Sequence, residues 1–235
     1  NSKVVTYGID RESDISAIDI HYSLSGTDFV AVCPRGRMEV VTRLIGRYNV
    51  YNILACIAVA VNEGMNFDLV SKSVEEFELV PGRLERIDCG QDFFVFVDYA
   101  HTDDALHNVI GALRELSRKK IIVVFGCGGD RDKTKRPKMG KVVSELADFA
   151  IVTSDNPRSE EPQDIIKDIL SGMDGANYRV IPERDKAIAE ALSMAGIGDI
   201  ILIAGKGHET YQSIKGENIP FDDREVIRTC LNSKN

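Results

Sequence analysis

The stretch IIVVFGCGGDRDK, residues 121–133, decides the reading of the fold. Its first five residues are all β-branched or aromatic and leave no polar face, so a strand here is buried on both sides. Strands of that kind belong to parallel sheets covered by helices. The run stops at Gly126, and a helical segment begins near Pro137. The same grammar recurs in FFVFV (93–97), FAIVT (149–153), YRVI (178–181) and IILIA (200–204). Between the runs lie segments with apolar residues at helical spacing, such as DDALHNVIGALRELSRK (103–119) and PQDIIKDILSGM (162–173). Strands alternating with helices predict an α/β fold with a doubly wound, mostly parallel, Rossmann-like sheet.

Upstream the pattern differs. TDFVAVC (27–33) and RMEVVTRL (37–44) alternate in polarity around PRG, which predicts an antiparallel hairpin. NVYNILACIAVAVNEG (49–64) reads as a helix apolar all round and buried, with Asn49 as N-cap and Gly64 past its end. NFDLVSKSVEEF (66–77) reads as a second, amphipathic helix, broken by PGRLE (81–85). The expected division is a smaller mixed α/β unit over 1–82 and the Rossmann-like domain over 83–235.

The chain has 235 residues, enough for one large domain or two small ones. The N-terminus has no basic and apolar leader pattern, and no apolar run reaches the length of a bilayer span, so a cytoplasmic location is expected. Five cysteines (33, 56, 89, 127, 230) are scattered without a C-x-x-C, which predicts reduced thiols, most of them in the core, and no zinc site. A formal charge of −8 disfavours nucleic acid and anionic membranes as partners. An anionic ligand must then be met by local arginines, lysines and backbone amides.

In an open parallel sheet every strand's carboxyl end lies on one rim, where ligands bind. Four segments should therefore converge: DYAHT (98–102), GCGGDRDK (126–133), SDNPR (154–158) and GKGHE (205–209). The glycines of GCGGDRDK offer backbone amides to an anion, with Arg131 and Lys133 beside them, or form only a tight strand-to-helix turn. In SDNPR, Pro157 keeps Asn156 out of helical geometry, and Ser159, Glu160 and Glu161 open a helix with Pro162 in its first turn. Arg158 presents a planar fork suited to a carboxylate. The alternative is a solvated pair with Glu160 or Glu161. In GKGHE, Glu209 suits an ammonium and Lys206 a phosphate, while His208 is structural or catalytic. Asp98 sits at a strand tip, as an acceptor for a ribose hydroxyl or, like Thr102, as a helix cap. The chain contains no G-x-x-x-x-G-K-[ST] phosphate loop and no nucleophile elbow.

GRYNVYN (46–52), PGRLE (81–85), VDYAHT (97–102), FGCGGDRDKTKRP (125–137), TSDNPRSEEP (153–162) and AGKGHE (204–209) resemble, in this order, the motifs of the Mur ligases. The resemblance covers almost the whole chain. It implies the last part of a central ATPase domain followed by a C-terminal domain that binds the incoming amino acid. It also implies that the family's phosphate loop, magnesium ligands and carbamylated lysine lie upstream of Asn1. Catalytic residues are therefore unassigned here, and the chain is expected to be inactive alone. The implied reaction is ATP-dependent: a carboxylate of UDP-MurNAc-dipeptide becomes an acyl phosphate with Mg2+ assistance, and the amine of the added residue attacks it.

Carried over by motif match, Asn52, Arg83, Asp98 and His101 stand near the nucleotide. Arg131, Asp155, Asn156, Pro157, Arg158, Gly205 and Glu209 bind the amino acid. In the family the D-N-P-R form goes with meso-diaminopimelate, whose distal carboxylate would meet Arg158 and Arg131 and whose ammonium would meet Glu209 and the Gly205 carbonyl. The alternatives are an L-lysine-adding member, which lacks this arginine, a ligase adding glutamate to folate, and a non-catalytic binding module. One departure is Asp103, where the family usually has proline.

Overall fold

The computed structural model describes residues 4–233. The chain divides into two compact units, Asn1–Leu79 and Val80–Asn235.

The first unit contains β1 (Tyr7–Gly8), β2 (Ile15–Ser23), β3 (Gly26–Cys33), β4 (Gly36–Thr42), α1 (Arg47–Asn62) and α2 (Phe67–Glu76). Its sheet runs β1-β2-β3-β4, with β1 parallel to β2 and the rest antiparallel. Alternation along β3 and β4 turns Phe29, Ala31, Met38 and Val40 to one face, where they form a core with Val50, Ile53, Leu54, Ile57 and Val61 of α1. The hairpin is as expected. β2 was not legible, because a register shift between Ile18 and His21, with Asp19 at φ 51°, interrupts its alternation. Two expectations for α1 are corrected. The helix is preceded by Gly46 and begins at Arg47, and Asn49 lies inside the first turn, where its Nδ2 donates to the Ile45 carbonyl at 2.9 Å. The helix also buries one side only: Val59 is 66% exposed, because the single sheet covers one face.

The second unit contains β5 (Glu85–Ile87), β6 (Phe94–Asp98), α3 (Asp103–Leu116), β7 (Ile121–Phe125), α4 (Lys135–Leu146), β8 (Phe149–Val152) and α5 (Pro162–Leu170). Its later elements are β9 (Tyr178–Val180), α6 (Arg184–Met194), β10 (Ile200–Ala204), β11 (Tyr211–Ile214), β12 (Glu217–Pro220) and α7 (Asp223–Asn232). The six-stranded sheet has the order β5-β6-β10-β7-β8-β9 and is parallel except for β5 at its edge.

The chain moves outward from β7 to β9 and then returns through α6 to place β10 between β6 and β7. Right-handed crossovers put the returning helix on the opposite face. Accordingly Val95, Val97, Ile122, Val124, Ile151, Ile201 and Ile203 pack with Ala187, Ile188 and Leu192 of α6 and Ile227 of α7. On the other face α3 meets β10 and α4 meets β8. The second unit is thus the doubly wound α/β architecture.

α6 is tied to the sheet rim by a buried ion pair. Arg184 and Asp223 are wholly inaccessible, with Nε and Nη2 of Arg184 each 2.7 Å from a carboxylate oxygen of Asp223. Nη2 also donates to the Ala204 carbonyl at 3.0 Å, at the exit of β10. Replacing Arg184 with Met strands the Asp223 charge in the interior, so equilibrium unfolding should show a loss of about 3–5 kcal/mol. The five thiols are unpaired, as expected, but only Cys33 and Cys127 are buried. Burial pushes the Cys127 thiol up to about 12. In native protein at neutral pH, a maleimide should therefore modify the exposed Cys56 and leave Cys127 intact until the chain is unfolded.

Candidate functional site

Parallel register brings the strand exits level: Ala204 stands opposite Asp98, and Phe125 opposite Val152. The loop leaving β8 reaches both the loop after β7 and the loop after β10. Asp155, Asn156 and Pro157 are buried and Arg158 is half-buried. Oδ1 of Asp155 accepts the Asn156 amide at 2.6 Å. Gly205 comes so near that a Cβ there would lie 2.6 Å from Asp155 Oδ2, and its φ of +116° also requires glycine.

The Asn156 carboxamide joins three segments. Its Nδ2 donates to Glu209 Oε2 at 2.8 Å, and its Oδ1 accepts from Lys206 Nζ at 3.1 Å and from the Ser213 amide at 2.9 Å. Arg158 has φ 52°, a left-handed geometry held by backbone bonds to the β11–β12 hairpin. Its amide donates to the Ser213 carbonyl at 2.9 Å, and its carbonyl accepts from Lys215 at 2.6 Å. Its Nη1 then donates to the Gly129 carbonyl at 2.7 Å, across to the loop after β7.

The glycines of that loop serve close approach. A Cβ at Gly128 would lie 2.8 Å from Arg158 Nη1, and one at Gly129 only 1.9 Å from the Pro157 carbonyl oxygen. Two amides of this loop are used within the protein: the Gly129 amide donates to the Asn156 carbonyl at 2.9 Å, and the Asp130 amide to Glu160 Oε1 at 2.7 Å.

The alternative pairings of Arg158 do not form. Glu160 is taken by Arg136 at 2.8 Å and Lys133 at 2.9 Å, and Glu161 by Lys215 at 3.2 Å. Among the described residues, Arg158 pairs with no carboxylate, and Arg131, two residues beyond Gly129, is exposed with no ion pair or hydrogen bond. Ser159 and Glu160 do not cap α5 either. They turn back to Asp130, and α5 begins at Pro162 without a side-chain cap. Lys206, expected to be open to a phosphate, is wholly buried, because Asn156, Glu209 and the Tyr211 carbonyl take its three protons.

The residues expected near a nucleotide fall in both units. Asn52 is exposed on α1, its Nδ2 donating to Asn49 Oδ1 at 3.2 Å. In the second unit, buried Asp98 accepts the Leu84 amide at 2.6 Å and the Ala100 amide at 2.7 Å, and Thr102 caps α3. Burial raises the Asp98 carboxyl, while the two amides pull the other way. Arg83 lies 4.9 Å over the Tyr99 ring, with the rings of His101 and His208 centred 4.7 and 5.5 Å from it. His101 Nδ1 is 2.8 Å from the Tyr99 carbonyl, which only accepts, so Nδ1 carries the proton and donates.

Sequence reasoning missed the β11–β12 hairpin, whose Gln212 and Ser213 brace the β8 loop. The available signal was Lys215-Gly216, both at positive φ, in the two-residue turn that tight hairpins favour. Arg136 was missed too. It is buried beneath the β7 loop and donates to Glu160 and Asp168. Among the described residues no group of three or more His, Cys, Asp or Glu side chains is placed to hold a metal. No helix among the described residues is long and apolar enough to cross a membrane.

Arg136, then Lys133 and the Asp130 amide, hold the Glu160 carboxyl far below its ordinary value of 4.5. A depressed acid stabilises the fold above its unfolded pKa, and that contribution is lost as pH falls towards the folded value. In thermal melts, Glu160→Gln should lower Tm at pH 7, and its deficit against wild type should shrink progressively below about pH 4.5.

Known proteins resemble this chain in sequence and in fold. The family model "Mur ligase, glutamate ligase domain" matches residues 82–207, and "Mur ligase middle domain" matches residues 1–60. A relative from Bacillus velezensis, named UDP-N-acetylmuramoyl-L-alanyl-D-glutamate--2,6-diaminopimelate ligase, is 48% identical over 97% of this chain and 46% of its own length. One of the same name from Syntrophomonas wolfei is 46% identical over 97% of this chain and 47% of its own length. A solved structure of a ligase of that name superposes with a TM-score of 0.74 at 37% identity, covering 99% of this chain and 48% of that one. The UDP-N-acetylmuramate-alanine ligase of Thermotoga maritima, at 22% identity and a TM-score of 0.67, shares the fold, over 98% of this chain and 47% of that one. The chain spans about half the length of the curated relatives it matches. With residues 82–207, more than half of its length, matched by the ligase-domain model, the chain belongs to the Mur ligase family.

Proposed function

We propose that this chain supplies the amino-acid-binding half of an ATP-dependent ligase that joins meso-diaminopimelate to UDP-MurNAc-L-Ala-D-Glu in peptidoglycan precursor synthesis. Residues 1–82 would be the C-terminal portion of the central ATPase domain and 83–235 the amino-acid-binding domain, in keeping with the two family-model matches. Relatives at 46–48% identity carry the name of such a ligase.

The observation that carries the reading is the state of Arg158. Backbone bonds to the hairpin fix its left-handed conformation, one nitrogen rests on the Gly129 carbonyl, and among the described residues no carboxylate neutralises it. A guanidinium held in this way, with a second free arginine at 131, is arranged for a ligand carboxylate. Glu209 is linked to the same loop through the Asn156 carboxamide and keeps Oε1 without a partner among the described residues, so it suits an ammonium. A carboxylate and an ammonium on one carbon are the distal end of diaminopimelate; lysine has only the ammonium.

The residues of this chain then hold and orient that end while the other amine attacks the acyl phosphate. Gly205 contributes its carbonyl, and Asp155 and Pro157 set the loop. Arg83 and His101, gathered around Tyr99 beside Asp98, would meet the nucleotide. ATP is the phosphoryl donor, and the magnesium that such transfer uses is held elsewhere. All of these steps take place in the cytoplasm.

In the whole ligase, Arg158→Ala should cut kcat/KM for meso-diaminopimelate by about 100-fold while KM for ATP stays within about twofold, because one partner of a desolvated charge pair is lost. Steady-state kinetics with each substrate varied checks this. A wild-type enzyme that uses L-lysine as well as meso-diaminopimelate would overturn the reading.

A further inference from the structure

A wholly buried ammonium lies beside Glu209, the carboxylate read above as the acceptor for the substrate's ammonium. Lys206 is 0% exposed, and its Nζ donates to Asn156 Oδ1 at 3.1 Å, to Glu209 Oε2 at 3.1 Å and to the Tyr211 carbonyl. The same Nζ lies 5.6 Å from the Tyr211 ring centroid. All three protons of the ammonium are therefore used inside the protein, and none is left for a ligand.

This arrangement has two consequences. Lys206 and the Ser213 amide together occupy Asn156 Oδ1, so the carboxamide cannot flip, and its Nδ2 must face Glu209. The one Nδ2 proton left over makes Asn156 a donor towards any ligand, never an acceptor. Glu209, in turn, has Oε2 saturated by Lys206 and Asn156, so Oε1 alone is left to accept. A carboxylate with one oxygen neutralised and pinned offers a single directed acceptor in place of a mobile charge.

We propose that Lys206 is a positioning residue for substrate selection: it fixes Glu209 Oε1 as the acceptor for the distal ammonium and Asn156 as a donor to the distal carboxylate. The proposal rests on the amino-acid-binding reading of this rim and adds the residue that sets its polarity. Lys206 itself touches no substrate.

The test is a cycle between a mutation and a substrate group. Wild-type whole ligase and Lys206→Met are assayed with meso-diaminopimelate and with 2-aminopimelate, which keeps the distal carboxylate and lacks the distal ammonium. The wild type should prefer diaminopimelate strongly. In Lys206→Met the ratio of kcat/KM values for the two substrates should fall by at least about tenfold, the scale of one misplaced charged hydrogen bond. KM for ATP should stay within about twofold. A purely structural lysine would lower stability or kcat for both substrates alike and leave the ratio unchanged. An unchanged or increased ratio overturns the proposal. Should the Met variant fail to fold, Lys206→Gln, which keeps two amide protons, carries the same measurement, with a fall of smaller size expected. A wild type that does not turn over meso-diaminopimelate at all refutes the functional reading itself. Turnover with an unaltered ratio refutes only the role of Lys206.

Discussion

Parallel strand register is the constraint on which the candidate site depends. β6, β10, β7 and β8 run side by side in one direction, so their exits stop on one rim although Asp98 and Glu209 are over 100 residues apart in sequence. The reversal of chain direction that inserts β10 between β6 and β7 sends α6 to the opposite face, and it is at such a point of reversal that open α/β sheets bind their ligands. Every loop then needs only a short reach to meet its neighbour. Asn156 is where these segments join: its backbone carbonyl accepts from the glycine loop, and its carboxamide bonds GKGHE and the β11–β12 hairpin.

Charge on this rim is arranged, not merely abundant. The chain carries a formal charge of −8, and its acidic groups near the rim are matched internally: Glu160 with Arg136 and Lys133, Asp223 with Arg184, Glu209 with Lys206. Among the described residues, Arg158 and Arg131 are cations that pair with no carboxylate. Isolated surface ion pairs contribute little. A buried pair, by contrast, is costly to break and so fixes geometry. Arg184 and Lys206, both wholly buried, belong to the second kind, and both act on residues within or adjoining GKGHE.

Much of this was legible in the sequence, for identifiable reasons. Continuous β-branched runs such as IIVVF and IILIA can only be strands buried on both faces, and their limits agree with the structure. Parallel topology then groups the four exit loops on one rim without further information. Three features stayed hidden. The β2 bulge and the short β11–β12 hairpin interrupt or truncate the alternation that marks strands. The helix start at Arg47 depends on Gly46 at φ 92°, which sequence does not reveal, so Asn49 looked like the cap. The partner of each charge was also hidden, because Glu160 is taken by residues 24 and 27 positions upstream and Lys206 turns inward to Asn156, 50 residues away. Whether Arg158 was free therefore needed the fold.

A crystal structure of the protein with meso-diaminopimelate bound tests the central claim most directly. The account predicts one carboxylate of the ligand within about 3 Å of the Arg158 guanidinium and the ammonium on the same carbon within about 3 Å of Glu209 Oε1, with the Asn156 amide unmoved. A ligand bound away from this rim, or an Arg158 side chain turned onto a protein carboxylate while the ligand is bound, would contradict it.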